Sequence, residues 1–550
     1  MGVPGFFLWL WKKYKSNKFV LSKTDYNNST DYFLLDMNCM IHPVCFETLK
    51  ELKYDINENV DMDKLENKMI NNVIIYLEKL IDLAEPKKCI YLAIDGVAPV
   101  AKMKQQRLRR YKSVNDKKLF DNIRKKHKKE IPFFWNNSAI TPGTNFMRKL
   151  TEKLNNWCKI TKGNNDIEII FSSSEIPAEG EHKILQYIKS NNNKNDTYVV
   201  YGLDADLIFL MLTLSSNTNN IYLMREAQQM EAKDKSNGIN FVSIDIMKEC
   251  IYDTVQNITN KFVTNNDIIL DKNNVIDDFI FICYLMGNDF LPHIPALDIY
   301  SNAIDKLIEC YAETVLLNGY IINNKNINDD IFYNFISKLA QDEEKTIIEA
   351  YNTNGYKKKK FSCQSTDPFD IEMHKIEHLN FKIDDPIVLG DGQMNEWRYR
   401  FYNNYYHTSK EELDEFSDKM VYHYNIGLKW VAQYYFDKCP SWDWYYPFDH
   451  APFLSDMARN KFNFTNIKFQ IGKPLSPYEQ LLIVLPKETS YLLPIQFRKI
   501  MTNINGSASH LYPEKFELDM IGKKKYWMCN PILPNLEINL IKKMYEKYSK

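Results

Sequence analysis

The stretch DYFLLDMNCMIH, residues 31–42, decides the fold. Its first seven residues form a short apolar, β-rich run bounded by polar sequence, the pattern of a strand buried on both faces of a sheet. Asp36 falls at the end of that run, and His42 follows it six residues later. The same pattern returns at CIYLAID (89–95), IEIIFSS (167–173), TYVVYGL (197–203) and IYLMR (221–225). Helical patterns separate these runs, Leu65–Ala84 and Pro142–Lys159 among them. Alternation of this kind predicts an α/β fold, a mainly parallel twisted sheet flanked by helices on both faces.

Seven acidic residues fall at the ends of strand-like runs or in the turns after them. They are Asp36, Asp95, Glu179 and Glu181 in PAEGEHK, Asp204 and Asp206 in YGLDADL, and Asp289 in MGNDFLP, which an apolar helical pattern, Val275–Met286, leads into. Ligands of an open α/β sheet bind beyond the carboxyl ends of its strands. Carboxylates converging there cannot all stay ionised unaided, since one like-charged pair about 4 Å apart costs about 4 kcal/mol at an effective dielectric of about 20. Hard divalent cations relieve that repulsion, and oxygen-only ligands favour Mg²⁺ or Mn²⁺ over zinc. The pattern predicts a two-metal hydrolase of phosphodiesters. A spacing of two puts Asp204 and Asp206 on one face of an extended segment, and Glu179 and Glu181 likewise. Singly, each acid reads equally as a helix cap or a surface charge.

On a predicted helix, Ala101–Tyr111, the residues Lys102, Gln106, Arg109 and Arg110 lie at i, i+4, i+7 and i+8, which is one face. Arginine offers phosphate a fork of donors and lysine a point charge. The ordinary reading of such a stripe is a solvated face. After residue 396 aromatics become dense, including Trp397, Trp430, Tyr434, Tyr435, and Trp442 and Trp444 in SWDW.

These segments resemble the Xrn-type 5′→3′ exoribonucleases. The first conserved region of that family is matched by MGVPGFF, LLDMNCMIH, AIDGVAPVAKMKQQRLRR, SAITPGTNFM, EIPAEGEHKI, YGLDADLI and GNDFLPHIP. The second is matched by GLKWVAQYYFDKCPSWDWYYPFDHAPFLSDM, GKPLSPYEQLLIVLP and YPEKFELDMIGKKKYW. The likeness covers roughly Met1–Leu297 and Glu396–Lys550, and HAPFLSD leans towards the cytoplasmic branch. It implies a PIN- or flap-nuclease-like core completed by a mostly helical, aromatic-rich C-terminal segment. It implies that all seven acids hold two ions, Mg²⁺ or Mn²⁺, one serving the attacking water and the other the leaving 3′ oxygen. Lys102, Gln106, Arg109 and Arg110 would grip a 5′-terminal phosphate, in a pocket too small for a triphosphate or a cap. His42 and Trp442 would stack on the first base, with Trp444 left to the core. Residues 2–4 would pack near the active site. The implied activity is processive, metal-dependent degradation of single-stranded, 5′-monophosphorylated RNA to nucleoside 5′-monophosphates, by a cytoplasmic monomer. Decapping or RNA-processing partners stay open, as does the division of the acids between the ions.

Composition agrees. Net charge is −1, so no global basic field draws nucleic acid, and affinity must come from local patches. The ten cysteines form no CxxC pair, which argues against structural zinc and for free thiols in a reducing compartment. FFLWLW lacks a preceding basic region, no apolar run reaches membrane-spanning length, and Phe6 breaks the myristoylation pattern, so a membrane partner is not expected. The chain divides into a nuclease core (1–300), a variable connector (301–395) with Asn-rich turns and a lysine run, Lys357–Lys360, and a second region (396–550) packing on the core. Its end soon after the second block suggests that the long C-terminal extension of cytoplasmic relatives is missing. Two rival functions share these features. A flap- or structure-specific 5′ DNA nuclease has a similar acid cluster but lacks the SWxWYYP block, and an inactive RNA-binding scaffold would have lost at least one acid.

Overall fold

In the computed structural model the described residues are 5–52, 60–164, 166–191, 193–214, 218, 220–227, 238–262, 268–297, 302–353 and 363–549. Gly2–Pro4 and the lysine run Lys357–Lys360 lie outside them. Seven strands make the main sheet: β1 (Val20–Ser22), β2 (Tyr32–Asp36), β3 (Cys89–Ala93), β4 (Glu168–Ser172), β5 (Tyr198–Tyr201), β6 (Ile221–Glu226) and β7 (Ile239–Ser243). Their order is β1-β7-β6-β5-β2-β3-β4. The five strands expected from sequence pair in parallel, with Leu34 opposite both Tyr91 and Val200. Edge strand β1 and its neighbour β7, which lies between β1 and β6, pair antiparallel and carried no legible pattern.

Helices cover both faces: α1 (Phe6–Tyr14), α2 (Asn38–Leu52), α3 (Met62–Ala84), α4 (Val100–Lys126), α5 (Asn145–Asn164), α6 (Gly180–Ser190), α7 (Ala205–Leu214), α8 (Ile244–Thr259) and α9 (Lys272–Cys283). Alternation along β2 explains why. Phe33 and Leu35 are buried with Met69, Val73 and Leu77 of α3 and Leu150 of α5. Leu34 is buried on the other face with Phe6 and Leu10 of α1, Ile184 of α6 and Phe209 of α7. Successive strand residues point to opposite faces, so a strand apolar on both needs a helical layer on each.

The connector is more ordered than its sequence suggested. Helices Ala303–Asn318, Asp329–Gln341, Glu343–Thr353 and Pro368–Glu377 occupy it, and Leu307, Tyr311 and Phe335 join the core shared with α7 and α9. Buried Glu343 accepts from the backbone N–H of Leu454 at 2.7 Å and Ser455 at 2.8 Å, holding the HAPFLSD turn. The C-terminal segment closes on the start of α4. Val97, Val100 and Met103 are buried with Leu481, Leu482 and Ile483, and the Ala98 N–H donates to Gln480 Oε1 at 3.0 Å.

Candidate active site

The sheet order reverses between β2 and β5, and an open α/β sheet presents its ligand crevice at such a switch point. Asp36 is the last residue of β2; its Oδ1 accepts from the Asn38 N–H at 3.2 Å and its Oδ2 from the Cys39 thiol at 3.1 Å. Asp95 follows β3 and accepts from Asn38 Nδ2 at 2.8 Å and from the Gly180 N–H at 2.7 Å. A Cβ on Gly180 would stand 2.9 Å from Asp36 Oδ1 and 3.2 Å from the Ala93 carbonyl, so only glycine lets the start of α6 approach both acids.

Four of the remaining acids sit at helix starts, which corrects the extended reading of both i, i+2 pairs. Glu179 is the N-cap of α6 and Glu181 lies in its first turn, while Asp204 directly precedes α7 and Asp206 lies in its first turn. Positive helix N-termini favour carboxylates at these positions. Asp289 follows no strand. It comes after α9, a 3₁₀ turn (Tyr284–Met286), and Gly287 at φ 87.

Electrostatics tie the acids into one unit. Burial pushes the Asp36 carboxyl up to about 8, helped by Asp95 and then Asp204. Burial also raises Asp95, with Glu179 adding to it. Glu181 is raised well above the usual range by burial; Lys102 opposes this, and Glu179, Asp206 and Asp36 add to it. Asp206 rises to about 6 through burial and then Asp289. Asp289 alone goes down: burial would raise it, but the Lys102 ammonium overrides that. Lys102 Nζ lies 2.6 Å from Glu179 Oε1 and 2.6 Å from Asp289 Oδ2. Among the described residues no three His, Cys, Asp or Glu side chains already form a metal cage. The donor set nonetheless fits hard divalent cations, because every donor is oxygen and the carboxyls pushed up are those a cation would return to the ionised state.

The rest of the basic face lies along α4. Gln106 Oε1 and Arg110 Nη1 are buried without a hydrogen-bond partner, and Arg109 is exposed. Half-buried His42, on α2, is lowered to about 4 by burial and then by Arg109 and Arg110, with Asp204 opposing, so these four groups share one neighbourhood. Lys102 is instead drawn to the carboxylates. Buried Arg107, off that face, donates to the carbonyls of Ile483 and Leu511.

Trp442 enters through its backbone: its carbonyl accepts from the Val100 N–H at 3.0 Å and its N–H donates to the Ile471 carbonyl at 2.8 Å. Among the described residues no aromatic ring packs on its half-buried indole. Trp444 stacks on Trp430, with centroids 5.3 Å apart. Sequence reading missed Asn38, buried Lys183, which bridges the Ile94 and Ser173 carbonyls at 2.7 and 2.9 Å, and Tyr434, which donates to Glu179 Oε2 at 2.9 Å. Asn38 and Lys183 stand inside the quoted motifs, whereas nothing local distinguishes Tyr434 from its aromatic neighbours.

Residues 1–227 match the family described as XRN 5′-3′ exonuclease N-terminus, and residues 269–383 and 378–549 match the Xrn1 helical domain. The chain is 27% identical to 5′-3′ exoribonuclease 2 of Candida albicans, over 99% of this chain and 72% of the relative. It is 31% identical to human 5′-3′ exoribonuclease 1, over 98% of this chain and 33% of the relative. With 5′-3′ exoribonuclease 2 of Arabidopsis thaliana the identity is 28%, over 98% of this chain and 66% of the relative. No helix among the described residues is long and apolar enough to cross a membrane.

The raised carboxyls make stability depend on pH and cation. Between the ordinary value of 3.8 and about 8 the folded chain keeps a proton on Asp36 that the unfolded chain releases, so this contribution to stability is lost as pH rises. In EDTA, the thermal midpoint of the wild type is expected to fall relative to Asp36→Asn as pH rises from about 4 to about 8, with Mg²⁺ or Mn²⁺ recovering it at the upper end. A difference between the two melting curves that stays flat across that range contradicts the electrostatic unit.

Proposed function

This chain belongs to the XRN 5′-3′ exonuclease family, and from that premise we propose that it is a processive, metal-dependent exoribonuclease degrading RNA from the 5′ end. The observation that carries the reading is the meeting, at the switch point, of a buried carboxylate unit with a helix face whose Gln106 and Arg110 keep unpartnered polar atoms. Asp36, Asp95, Glu179, Glu181, Asp204, Asp206 and Asp289 would hold two ions, Mg²⁺ or Mn²⁺. Bound there, the ions would supply activation of water and charge stabilisation at the leaving 3′ oxygen.

The chain's own residues do the rest. Arg109, Arg110 and Gln106 receive the 5′ monophosphate of single-stranded RNA. Lys102 lies one to two turns nearer the start of α4, between the phosphate pocket and the acids. His42 and Trp442 clamp the first base by stacking, which tolerates any sequence and suits an enzyme that advances one nucleotide at a time. The products are nucleoside 5′-monophosphates. The enzyme acts as a monomer, and the wording of HAPFLSD favours the cytoplasmic branch.

Asp206→Asn is expected to abolish hydrolysis of end-labelled RNA while leaving RNA binding intact, because phosphate and stacking groups remain. EDTA should do the same to the wild type, and wild-type rates in EDTA would overturn the metal mechanism. End preference is read by comparing 5′-monophosphate with 5′-hydroxyl RNA. Arg109→Ala and Arg110→Ala should each reduce that preference about tenfold or more, since a hydrogen bond to a charged group contributes about 1.5–3 kcal/mol. If both variants keep the wild-type preference, the phosphate is gripped elsewhere.

The two tryptophans separate on gels and melting curves. Trp442→Ala forfeits about 1–3 kcal/mol of stacking and should let partly digested RNA accumulate without an earlier melt. Trp444→Ala, which unstacks Trp430, should melt earlier instead. The reverse outcome exchanges their roles.

A further inference from the structure

Glu179 offers its two carboxylate oxygens to donors from distant parts of the chain. Lys102 Nζ lies 2.6 Å from Oε1, and the Tyr434 hydroxyl, 255 residues on, lies 2.9 Å from Oε2. Tyr434 belongs to helix Leu413–Phe436 and is 3% exposed. Its carbonyl accepts from His182 Nε2 at 2.8 Å, its ring lies 4.2 Å from the His182 ring, and it stacks on Trp430 at 4.9 Å with planes 12° apart. Trp430 in turn stacks on Trp444 and donates Nε1 to the Ser441 carbonyl at 3.0 Å, next to Trp442. A column of rings therefore runs from the SWDW turn to Glu179. Burial raises the Tyr434 phenol well above its ordinary value, and Glu179 adds to this, so the hydroxyl keeps its proton and donates.

Packing alone explains the ring and leaves the hydroxyl unexplained. Phenylalanine would fill the same column without bringing a polar atom into a dry core, where a hydroxyl without an acceptor is costly. The acceptor here is a carboxylate of the acid unit. We infer that Tyr434 is a positioning residue of the hydrolytic site, its O–H holding Glu179 in the orientation in which that carboxylate serves the cation-binding set. This rests on the proposed function of Glu179 and extends it, because the C-terminal segment then completes the carboxylate set physically. Outer donors to a ligating carboxylate orient it, and removing one costs about 10–100-fold in metal affinity or activity.

The test is Tyr434→Phe in the full chain, which keeps the ring column and deletes one oxygen. Mn²⁺ binding is measured by paramagnetic resonance without RNA, alongside the Mg²⁺ dependence of kcat and KM on 5′-monophosphorylated RNA. Mn²⁺ affinity should fall about tenfold or more, with a matching rise in half-saturating Mg²⁺ and an unchanged KM for RNA. Tyr446→Phe is the control, since it deletes another buried hydroxyl of the same segment, one that donates to the His450 carbonyl at 2.9 Å. It should bind Mn²⁺ as the wild type does, and the two variants should melt alike. Wild-type Mn²⁺ binding by Tyr434→Phe overturns the inference. So does a loss matched by Tyr446→Phe, or one accompanied by a much earlier melt, because either marks a merely structural role. Glu179→Gln separates the two levels. If it binds Mn²⁺ and hydrolyses RNA normally, the reading of Glu179 itself fails. If it loses both while Tyr434→Phe loses neither, only the positioning role fails.

Discussion

Mutual repulsion among buried carboxylates at the end of β2 is the constraint on which the rest of the structure depends. Asp36 is 6% exposed and Asp206 3%, and each is pushed towards its neutral form by burial and by another acid of the same set. A fold gains no stability from such an arrangement, since apolar side chains would fill the space at lower cost. The chain fixes three of these acids with donors: Asn38 and Gly180 for Asp95, Cys39 and the Asn38 N–H for Asp36, Tyr434 and Lys102 for Glu179. Buried acids that shift one another in this way are the pattern of a functional site, and cations would supply the positive charge that the unit lacks.

Lys102 connects this constraint to the basic face of α4. It is buried, yet keeps its proton far more firmly than usual: burial opposes the charge, but Asp289, Glu179, Glu181 and Asp206 override it. Seven residues on, about 10 Å along the axis of α4 at helical rise, Arg109 is exposed beside Arg110. One rigid helix therefore carries both the counter-charge of the acids and the groups suited to an anion, and it fixes their spacing. The C-terminal segment holds that helix at its start, through Gln480 on Ala98, Trp442 on Val100, and Leu481 to Ile483 against Val100 and Met103.

Much of this was legible in the sequence, for identifiable reasons. The five parallel strands declared themselves because burial on both faces demands continuous apolar runs, as in FLL of β2. The acids were legible because they punctuate those runs. Their local geometry was not, since an i, i+2 spacing reads alike in a strand and across a strand-to-helix turn, and only the fold shows that Asp206 and Glu181 begin helices. Edge strand β1 is three residues long and β7 (INFVS) is only partly apolar, so neither stands out from a loop. In 301–395 the sequence shows only short helical patterns between Asn-rich turns, although Leu307, Tyr311 and Phe335 supply the apolar side these helices bury.

Long-range pairing was the part no local pattern carried. Tyr434 sits among Trp430, Tyr435 and Phe436, and spacing along a helix says which face each occupies but not what lies opposite. The face is shared: Tyr435 meets Tyr284 at 4.9 Å, while Tyr434 meets His182 and Glu179. The difference between a packing tyrosine and one that touches a site carboxylate is a single oxygen and its acceptor. Composition cannot register that difference, because an aromatic-rich segment has the same hydropathy in either role. It becomes readable only where the two regions close on each other. There the C-terminal segment does more than cover apolar surface on the sheet domain, since it contributes a donor to Glu179, a backbone acceptor to α4, and an indole that no other ring covers among the described residues.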